Sequence, residues 1–418
     1  MIKRLICALT IAACAAIGAA AQNGTMTPYS RYGYGILSDN ATAAQRQMGG
    51  VGYAMHSGRT INVMNPASYA RIDSMTFLFD MGIDLTCLWN EETASDGTRT
   101  RSNDFGGGLD YITMQFPITR GLGASIGLLP YSSVGYAFGN SIDNGYASRS
   151  GSGSLNQLYA GVGYAPFKGL SIGANIAYLF GSTYNDSYAI TSAGSTTLFE
   201  RQLEVRDWNL NVGLQYSLAL RKRDMLTIGA VFSPGKNLHG HTATFSYDQT
   251  MENAPTETEE SIDGRYSTPW TLGVGIGYTI NQRMLIEVDG TYQPWSKAKY
   301  AGEKGTLDDR YKIAAGLQWT PNPRGSYFRR AHYRIGAFYN HDYLRVRSAQ
   351  NQSYNGVRDY GIGAGIGFPV PGFKTIVNLG VEWRHRQATP NALIKENYLN
   401  ITLGVNFNEM WFRPNKIY

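Results

Sequence analysis

Apolar side chains occupy every second position over long stretches of this chain. Between Thr76 and Trp89, one face of an extended strand carries only apolar residues, and the opposite face carries Asp80 and Asp84 among mainly small and polar residues. In a membrane strand this period places apolar residues against lipid and polar residues in the lumen of a barrel. A register shift of one residue would move the two carboxylates into lipid. The same alternation returns in three further stretches: 209–218, 271–280 and 398–407.

Fourteen such stretches are separated by turn and loop residues. The sequence therefore predicts an all-β fold, a 14-stranded antiparallel transmembrane β-barrel over residues 76–407, followed by a C-terminal tail at 408–418. An even strand number brings both ends of the barrel wall to one side of the membrane, and short turns are expected on the periplasmic side. The predicted strands are 76–89, 108–118, 121–138, 154–166, 169–180, 198–220, 224–247, 259–280, 283–295, 307–320, 330–345, 356–369, 373–386 and 396–407.

Composition agrees with a membrane barrel. The chain contains 29 Tyr and 49 Gly, and alternating glycines such as those at 361–367 are interpreted as a smooth lumen wall. Tyr136, Tyr164 and Tyr292 lie near predicted strand ends and fit an interfacial girdle, although each could also pack in the lumen. The net charge of +6 suits contact with the lipid bilayer and lipopolysaccharide. The positive residues are scattered and form no basic helix, so no nucleic-acid partner is expected.

The first 21 residues have the order of an export signal. Lys3 and Arg4 precede an apolar run at 5–17, and Ala19-Ala20-Ala21 precedes Gln22. This predicts a signal peptide at 1–21, its cleavage, and a location in the outer membrane of a Gram-negative bacterium. An alternative interpretation takes Cys14 as a lipoprotein cleavage site. After cleavage at residue 21 only Cys87 remains, so an internal disulfide is excluded.

Residues 22–75 differ from the rest of the chain. They show no sustained alternation and contain many Gly, Ser and Asn residues. The segment is long enough to fold back into the barrel as an N-terminal plug, or hatch. The alternative is a disordered periplasmic tail.

Three patterns that could carry chemistry fit strand geometry better. Gly123-Ala124-Ser125-Ile126-Gly127 matches a nucleophile elbow, but it lies in an alternating strand and not at a strand-to-helix turn. His239 and His241 share a strand face without an evident third metal ligand. Several inward charges form either a solvated or mutually paired lumen lining, which we favour, or a specific ion or substrate site; they are Asp80, Asp84, Glu287, Asp289, Lys312, Glu382 and Arg384. No catalytic residue, metal or cofactor is predicted, and the chain is not expected to be an enzyme.

Pro130 lies inside the third predicted strand, in Leu128-Leu129-Pro130-Tyr131-Ser132-Ser133. Proline has no backbone N–H to donate to a neighbouring strand, so the sheet must bulge, kink or open there. One interpretation is a lateral opening in the barrel wall at Pro130, Tyr131 and Ser132. The other is a plain bulge or a strand end above the bilayer.

Short motifs lie in order along nearly the whole mature chain. Near the start, Met48-Gly49-Gly50-Val51-Gly52 is followed by Asn65-Pro66-Ala67. These two motifs are similar to the N-terminal hatch of the FadL/TodX (OMPP1) family of outer-membrane channels, and the whole series resembles that family. The opening Tyr29-Ser30-Arg31-Tyr32-Gly33 resembles members from Bacteroidota. The other motifs are Phe116-Pro117-Ile118, Gly123-Ala124-Ser125-Ile126, Asn209-Leu210-Asn211-Val212-Gly213, Ser233-Pro234 with Leu238 and Gly240, and Thr268-Pro269-Trp270 with Gly277-Tyr278, Asp289 and Trp295-Ser296.

The resemblance implies a porin-like channel for passive uptake of hydrophobic small molecules, such as long-chain fatty acids or aromatic hydrocarbons. It implies that Asn65, Pro66 and Ala67 belong to the hatch, and that the substrate leaves sideways at a kink in strand 3, here at Pro130, Tyr131 and Ser132. An apolar ligand is better solvated by bilayer than by a water-filled pore, which makes a lateral exit physically reasonable. Some relatives serve type IX secretion, so the alternative is a non-transporting barrel subunit of an envelope assembly with a protein partner.

Overall fold

The structure is a computed structural model and describes residues 26–93, 98–142, 145–191, 196–247, 256–347, 354–372, 374–390 and 394–410. The predicted signal peptide, the lipoprotein alternative and residues 411–418 of the predicted tail lie outside the described residues. Within those residues, no helix is long and apolar enough to cross a membrane.

The fold is all-β. Two single-turn α-helices, α1 (Ala43–Arg46) and α2 (Tyr327–Arg330), and three 3-10 turns, Pro28–Arg31, Pro66–Arg71 and Trp295–Lys297, interrupt the strands. The strands are β1 Ile36–Leu37, β2 Thr76–Thr93, β3 Arg99–Thr119, β4 Leu122–Ile142, β5 Gly145–Phe167, β6 Leu170–Thr191, β7 Thr196–Ala219, β8 Met225–Ser233, β9 Lys236–Asn237, β10 Gly240–Tyr247, β11 Thr256–Ser261, β12 Ser267–Thr268, β13 Thr271–Ile280, β14 Met284–Gln293, β15 Lys299–Tyr300, β16 Glu303–Lys304, β17 Arg310–Trp319, β18 His332–Arg347, β19 Tyr354–Pro369, β20 Ile376–Thr389 and β21 Ile394–Met410.

Fourteen antiparallel strands close into a barrel, as predicted. The seventh barrel strand consists of β8 and β10 and the eighth of β11 and β13, because both are interrupted near Pro234 and Pro269. The ring closes where β2 pairs with β21, from Thr76 opposite Met410 to Glu92 opposite Ile394. Closure joins the first and last barrel strands, so neither remains an open end of the sheet, and a bilayer demands such pairing of the backbone.

The strands run further at the long-loop end than the sequence predicted. The fifth barrel strand was expected to end at residue 180 and instead ends at Thr191. Residues 181–191 are mainly polar on both faces, so the hydrophobic period that located the membrane segment is absent although the ladder to β7 continues. Strand pairing above the bilayer needs no apolar face, and sequence periodicity therefore could not detect it.

The outer wall carries the apolar belt that alternation predicted. Leu210, Val212 and Leu214 are exposed on the outside of β7, whereas the intervening Gly213 and Gln215 face inward and are buried. Two of the three girdle tyrosines lie at the outer surface, with Tyr164 49% and Tyr292 37% exposed. Tyr136 is only 4% exposed, and its hydroxyl donates to Asn185 Oδ1 at 2.8 Å. A closed barrel with this belt is the architecture of outer-membrane proteins.

Two breaks in the wall ladder position the site described below. Strand β3 pairs with β4 only where residues 112–119 meet residues 122–128, although both strands continue toward the long-loop end. The second break lies beside the two prolines. Strand β7 pairs with β10 through residues 198–205 and with β8 through residues 212–219, and the two stretches are separated by 206–211.

Candidate functional site in the barrel lumen

Residues 26–74, called the N-terminal segment from here on, contact the inward side chains of strands around the barrel. Met48, Val51, Asn65 and Tyr69 are each 0% exposed. Their burial depends on the wall, because the segment contains little secondary structure of its own. The sequence left a plug and a disordered tail open for this segment. In the structure, contacts with the barrel wall hold the segment in place.

Asn65, Pro66 and Ala67 start a 3-10 turn that lies against a row of glycines. The Asn65 side chain accepts a hydrogen bond from Ala67 N at 3.1 Å and donates to the carbonyls of Tyr53 at 2.7 Å and Leu214 at 3.2 Å. The facing wall positions pair with one another across four neighbouring strands: Gly123, Gly163, Gly173 and Gly213.

A side chain at these glycines would collide with the turn. A Cβ on Gly173 would lie 2.4 Å from the Pro66 backbone, and one on Gly213 would lie 2.1 Å from Asn65 Oδ1. Both distances are far below van der Waals contact. The glycine row therefore lets the segment backbone approach the wall closely.

Two lumen carboxylates bind the backbone of residues 52–55. Asp289 Oδ2 accepts hydrogen bonds from Gly52 N at 2.6 Å and Tyr53 N at 2.9 Å. Glu287 Oε1 accepts from Ala54 N at 2.8 Å and Met55 N at 3.1 Å. Both acids lie on β14, so four consecutive N–H groups of irregular backbone find acceptors on one strand.

Asp39 connects the segment to two cations of β17. Its carboxylate accepts hydrogen bonds from Arg310 at 2.8 Å and Lys312 at 2.6 Å. Burial alone would raise the pKa of the Asp39 carboxyl, but the positive charges of Lys312 and Arg310 hold that pKa well below its usual value. The contact is therefore ionic at neutral pH, and its stabilisation is lost only as pH falls below the ordinary range of an aspartate.

The substitution Asp39→Asn is expected to destabilise the barrel by about 1–3 kcal/mol, because two cations would lose their carboxylate partner. The Asp39 side chain is 27% exposed, so solvent screening keeps the expected loss below that of a fully buried pair. The measurement is the temperature of the heat-dependent shift in gel mobility. Asp263→Asn, at an exposed loop carboxylate, is the control and should leave this temperature unchanged. Equal unfolding temperatures for both variants would contradict the role given to Asp39.

The other predicted inward charges are mutually paired or bind neutral partners. Asp80 accepts from Tyr111 at 2.9 Å and Asn406 at 3.1 Å. Glu382 pairs with Arg384 at 3.1 Å. The favoured interpretation, a mutually paired lining, thus describes part of the set, whereas Glu287 and Asp289 bind segment backbone, which the sequence did not indicate.

Pro130, Tyr131 and Ser132 lie where β4 leaves β3. The last β3 partner on β4 is Leu128, and the β4 register to β5 shifts between Pro130 and Ser132. Beyond the break, the segment strand β1 pairs with β4, with Leu37 opposite Ser132, and Ser38 N donates to Tyr131 O at 2.9 Å. The segment therefore occupies part of the β4 edge that β3 leaves free.

A cavity of about 420 Å³ lies behind this break. Gly106, Gly107 and Gly108 line it from β3, and Pro130 and Ser132 line it from β4. Its lining also carries charges of both signs: Asp39, Arg46, Asp84, Asp104, Asp110, Lys312, Glu382, Arg384 and Arg386. The break and the lumen therefore share one cavity, and charged and apolar side chains both line it.

The long-loop end of the lumen is filled by a buried aromatic cluster. Tyr34 of the segment packs against Tyr266, Trp295 and Tyr300 at ring-centroid distances of 5.3–6.3 Å. Tyr343 of β18 accepts a hydrogen bond from Tyr34 N at 2.9 Å. The cluster packs segment, loop and wall residues together at this end of the lumen.

The motifs considered for catalysis or metal binding have other neighbours. Ser125 lies within strand β4 and its hydroxyl contacts Tyr159 and donates to the Met114 carbonyl, each at 2.8 Å. His239 Nδ1 lies 3.4 Å from Asp207. In the part of the chain that the structure describes, no group of three His, Cys, Asp or Glu side chains could hold a metal ion.

The fold is similar to that of several solved outer-membrane channels. The Pseudomonas putida toluene transporter TodX is 14% identical, with a TM-score of 0.59 over 90% of this chain and 100% of that chain. A Pseudomonas aeruginosa FadL homologue is 11% identical, with a TM-score of 0.59 over 89% and 99%. The Ralstonia pickettii toluene transporter TbuX is 11% identical, with a TM-score of 0.58 over 88% and 98%. At these identities the likeness establishes the FadL-type fold.

A family model described as BamG matches residues 1–418, the whole chain. The chain belongs to the BamG family. It has no significant match among curated protein sequences. This BamG-family chain therefore combines a FadL-type barrel fold with a break beside β4 and a lumen in which charged wall residues contact the N-terminal segment.

Proposed function

We propose that this chain is an outer-membrane channel for passive uptake of hydrophobic small molecules, such as long-chain fatty acids or aromatic hydrocarbons. The observation that carries the proposal is the break between β3 and β4, which is backed by a cavity continuous with the lumen. In this proposal the mature chain starts at Gln22, the N-terminal segment is the hatch, and Pro130, Tyr131 and Ser132 form the lateral gate. The barrel was predicted to end at residue 407, but β21 continues the wall to Met410, so the tail of this proposal is 411–418.

The chemistry of the break supports a lateral exit. Gly106, Gly107 and Gly108 of β3 and Ser132 and Ser133 of β4 lie at its two edges, so short side chains leave space between the strands. Pro130 keeps the break open because it has no N–H for pairing with β3. An apolar molecule that leaves here enters hydrocarbon directly, which removes apolar surface from water.

The substitution Pro130→Thr restores a backbone donor and a residue that favours strands. It is expected to extend the β3–β4 ladder and to reduce uptake about tenfold. The measurement is the initial rate at which whole cells take up a labelled long-chain fatty acid. Pro117→Thr is a matched control, since Pro117 is a strand proline of β3 on the other side of the same ladder. An uptake rate equal to that of the unmodified chain in both variants would refute a gate at Pro130.

A second candidate is a non-transporting barrel subunit of an envelope assembly. The observation that favours it is the interior, where charged side chains line the 420 Å³ cavity and the buried aromatic cluster packs at the long-loop end. An apolar solute would have to pass groups that prefer water or ion pairs. Purification of the native complex in mild detergent decides between the roles: a stoichiometric envelope protein without bound lipid supports the assembly role, and bound fatty acid supports transport.

A further inference from the structure

The short-turn end of the barrel carries a concentrated positive surface. Three turns that follow one another around the ring, at 220–224, 281–283 and 320–331, connect β7 to β8, β13 to β14 and β17 to β18. We call these turns the basic arc. It carries seven cationic side chains: Arg221, Lys222, Arg223, Arg283, Arg324, Arg329 and Arg330.

The three turns form one surface, because hydrogen bonds join them. Asp224 of the first turn accepts from Asn281 N of the second at 2.9 Å. Thr320 N of the third donates to the Arg283 carbonyl of the second at 2.8 Å. Asp224 is the one acid of the basic arc and is 8% exposed, so it does not neutralise the outer surface. Within the described residues, none of the seven cations forms a salt bridge.

The third turn adds an ordered apolar projection. Asn322 N donates to Arg329 O at 2.8 Å and Tyr333 donates to Phe328 O at 3.0 Å, so residues 322–329 have a defined path. Phe328 lies near the end of this path, shortly before β18, and its side chain is 67% exposed. An exposed aromatic side chain with a fixed backbone, surrounded by cations, is typical of a contact surface.

The charge is uneven around the ring. Each of the other described short turns carries a single exposed cation: Arg120, Lys168 and Lys374. Phospholipid headgroups surround a barrel evenly, so a surface directed at lipid would carry its cations evenly as well. Concentration on neighbouring turns fits a partner that touches one side of the barrel, and opposite charge steers and orients such a partner.

We propose that the basic arc is a docking surface for an acidic segment of a periplasmic protein, with Phe328 contacting an apolar residue of that segment. The proposal rests on the outer-membrane placement in the proposed function, because short turns face the periplasm in such barrels. It does not depend on what passes through the lumen.

The test uses the purified full chain in nanodiscs of phosphatidylcholine. The probe is a fluorescent 12-residue peptide, designed with Asp and Glu around two adjacent leucines, and binding is followed by anisotropy at low and moderate salt. The arc variant Arg221→Gln/Lys222→Gln/Arg223→Gln should weaken binding about tenfold and reduce its salt dependence. The control variant Arg120→Gln/Lys168→Gln/Lys374→Gln, with three cations removed from the same end, should change binding less than about twofold.

Phe328→Ser should weaken binding of this peptide about threefold and leave a leucine-free acidic peptide unaffected. Equal losses in the arc and control variants would overturn the proposal, as would binding that tolerates neutral replacement of the acidic residues. A third result would also overturn the proposal: phosphatidylglycerol nanodiscs displace the peptide, and the arc variant no longer binds that lipid. This outcome would assign the arc to lipid headgroups. Fatty-acid uptake measured on the same variants separates this outcome from failure of the transport role.

Discussion

Replacement of Gly173 by valine will release the N-terminal segment from the barrel wall while the barrel stays folded. A Cβ at this position lies 2.4 Å from the Pro66 backbone, and neighbouring Gly163 and Gly213 contact the same turn. Valine itself suits a strand, so the collision and not the wall determines the effect. We expect trypsin to cut at Arg46, which is held at Asp110 in the folded segment, at least tenfold faster than in the unmodified chain.

Gly290→Val is the matched control for this experiment. Gly290 also lies within a barrel strand, β14, but a Cβ there has no atom within 4 Å. The control should retain the cleavage rate of the unmodified chain, and both variants should retain the heat-dependent gel shift of a closed barrel. Equal protection of Arg46 in Gly173→Val and Gly290→Val would show that the segment does not depend on the glycine row.

Removal of the two β14 carboxylates is expected to open a path through the lumen. In Glu287→Ala/Asp289→Ala, the N–H groups of residues 52–55 lose all four wall hydrogen bonds. Each buried donor left without a partner costs about 1–3 kcal/mol, so the middle of the segment should detach in a large fraction of molecules. The measurement is single-channel conductance in planar bilayers, which should rise from a closed baseline to long open events.

Glu382→Ala controls for the loss of a lumen carboxylate. Glu382 is similarly buried and pairs with Arg384 and Asn400, which both belong to the wall. Its removal changes lumen charge without touching residues 52–55, so conductance should stay near the baseline. Long open events in this variant too would mean that lumen charge, and not segment anchoring, controls the pore.

The strands could be predicted because their signal is local. In stretches such as 210–218 the side chains that contact lipid recur at a period of two. Where a strand carries a lumen carboxylate, a shift of one residue would move that carboxylate into lipid, so the register is fixed. The lumen could not be predicted in the same way. Gly163, Gly173 and Gly213 lie far apart in sequence and look like ordinary strand glycines until pairing brings them side by side.

The candidate site residues show the same difference between local signals and contacts with distant parts of the chain. Pro130 identified a weak point in the wall from its missing N–H alone, and the ladder to β3 does end beside it. The N-terminal segment pairs with that edge through β1 and Ser38. This pairing could not be predicted, because a two-residue strand leaves no periodic signal in the sequence. Glu287 and Asp289 appeared only as inward acids, and their backbone partners lie more than 230 positions away in the chain.

The amino-acid sequence by itself determined the number, order and facing of the barrel strands, since lipid on one side of each strand imposes an apolar residue at every second position. Tertiary structure alone decided what packs in the lumen and which segment pairs with the β4 edge at the break. Those features arise from contacts between irregular backbone and distant strands, and such contacts depend on shape and on paired hydrogen-bonding groups that no local pattern records.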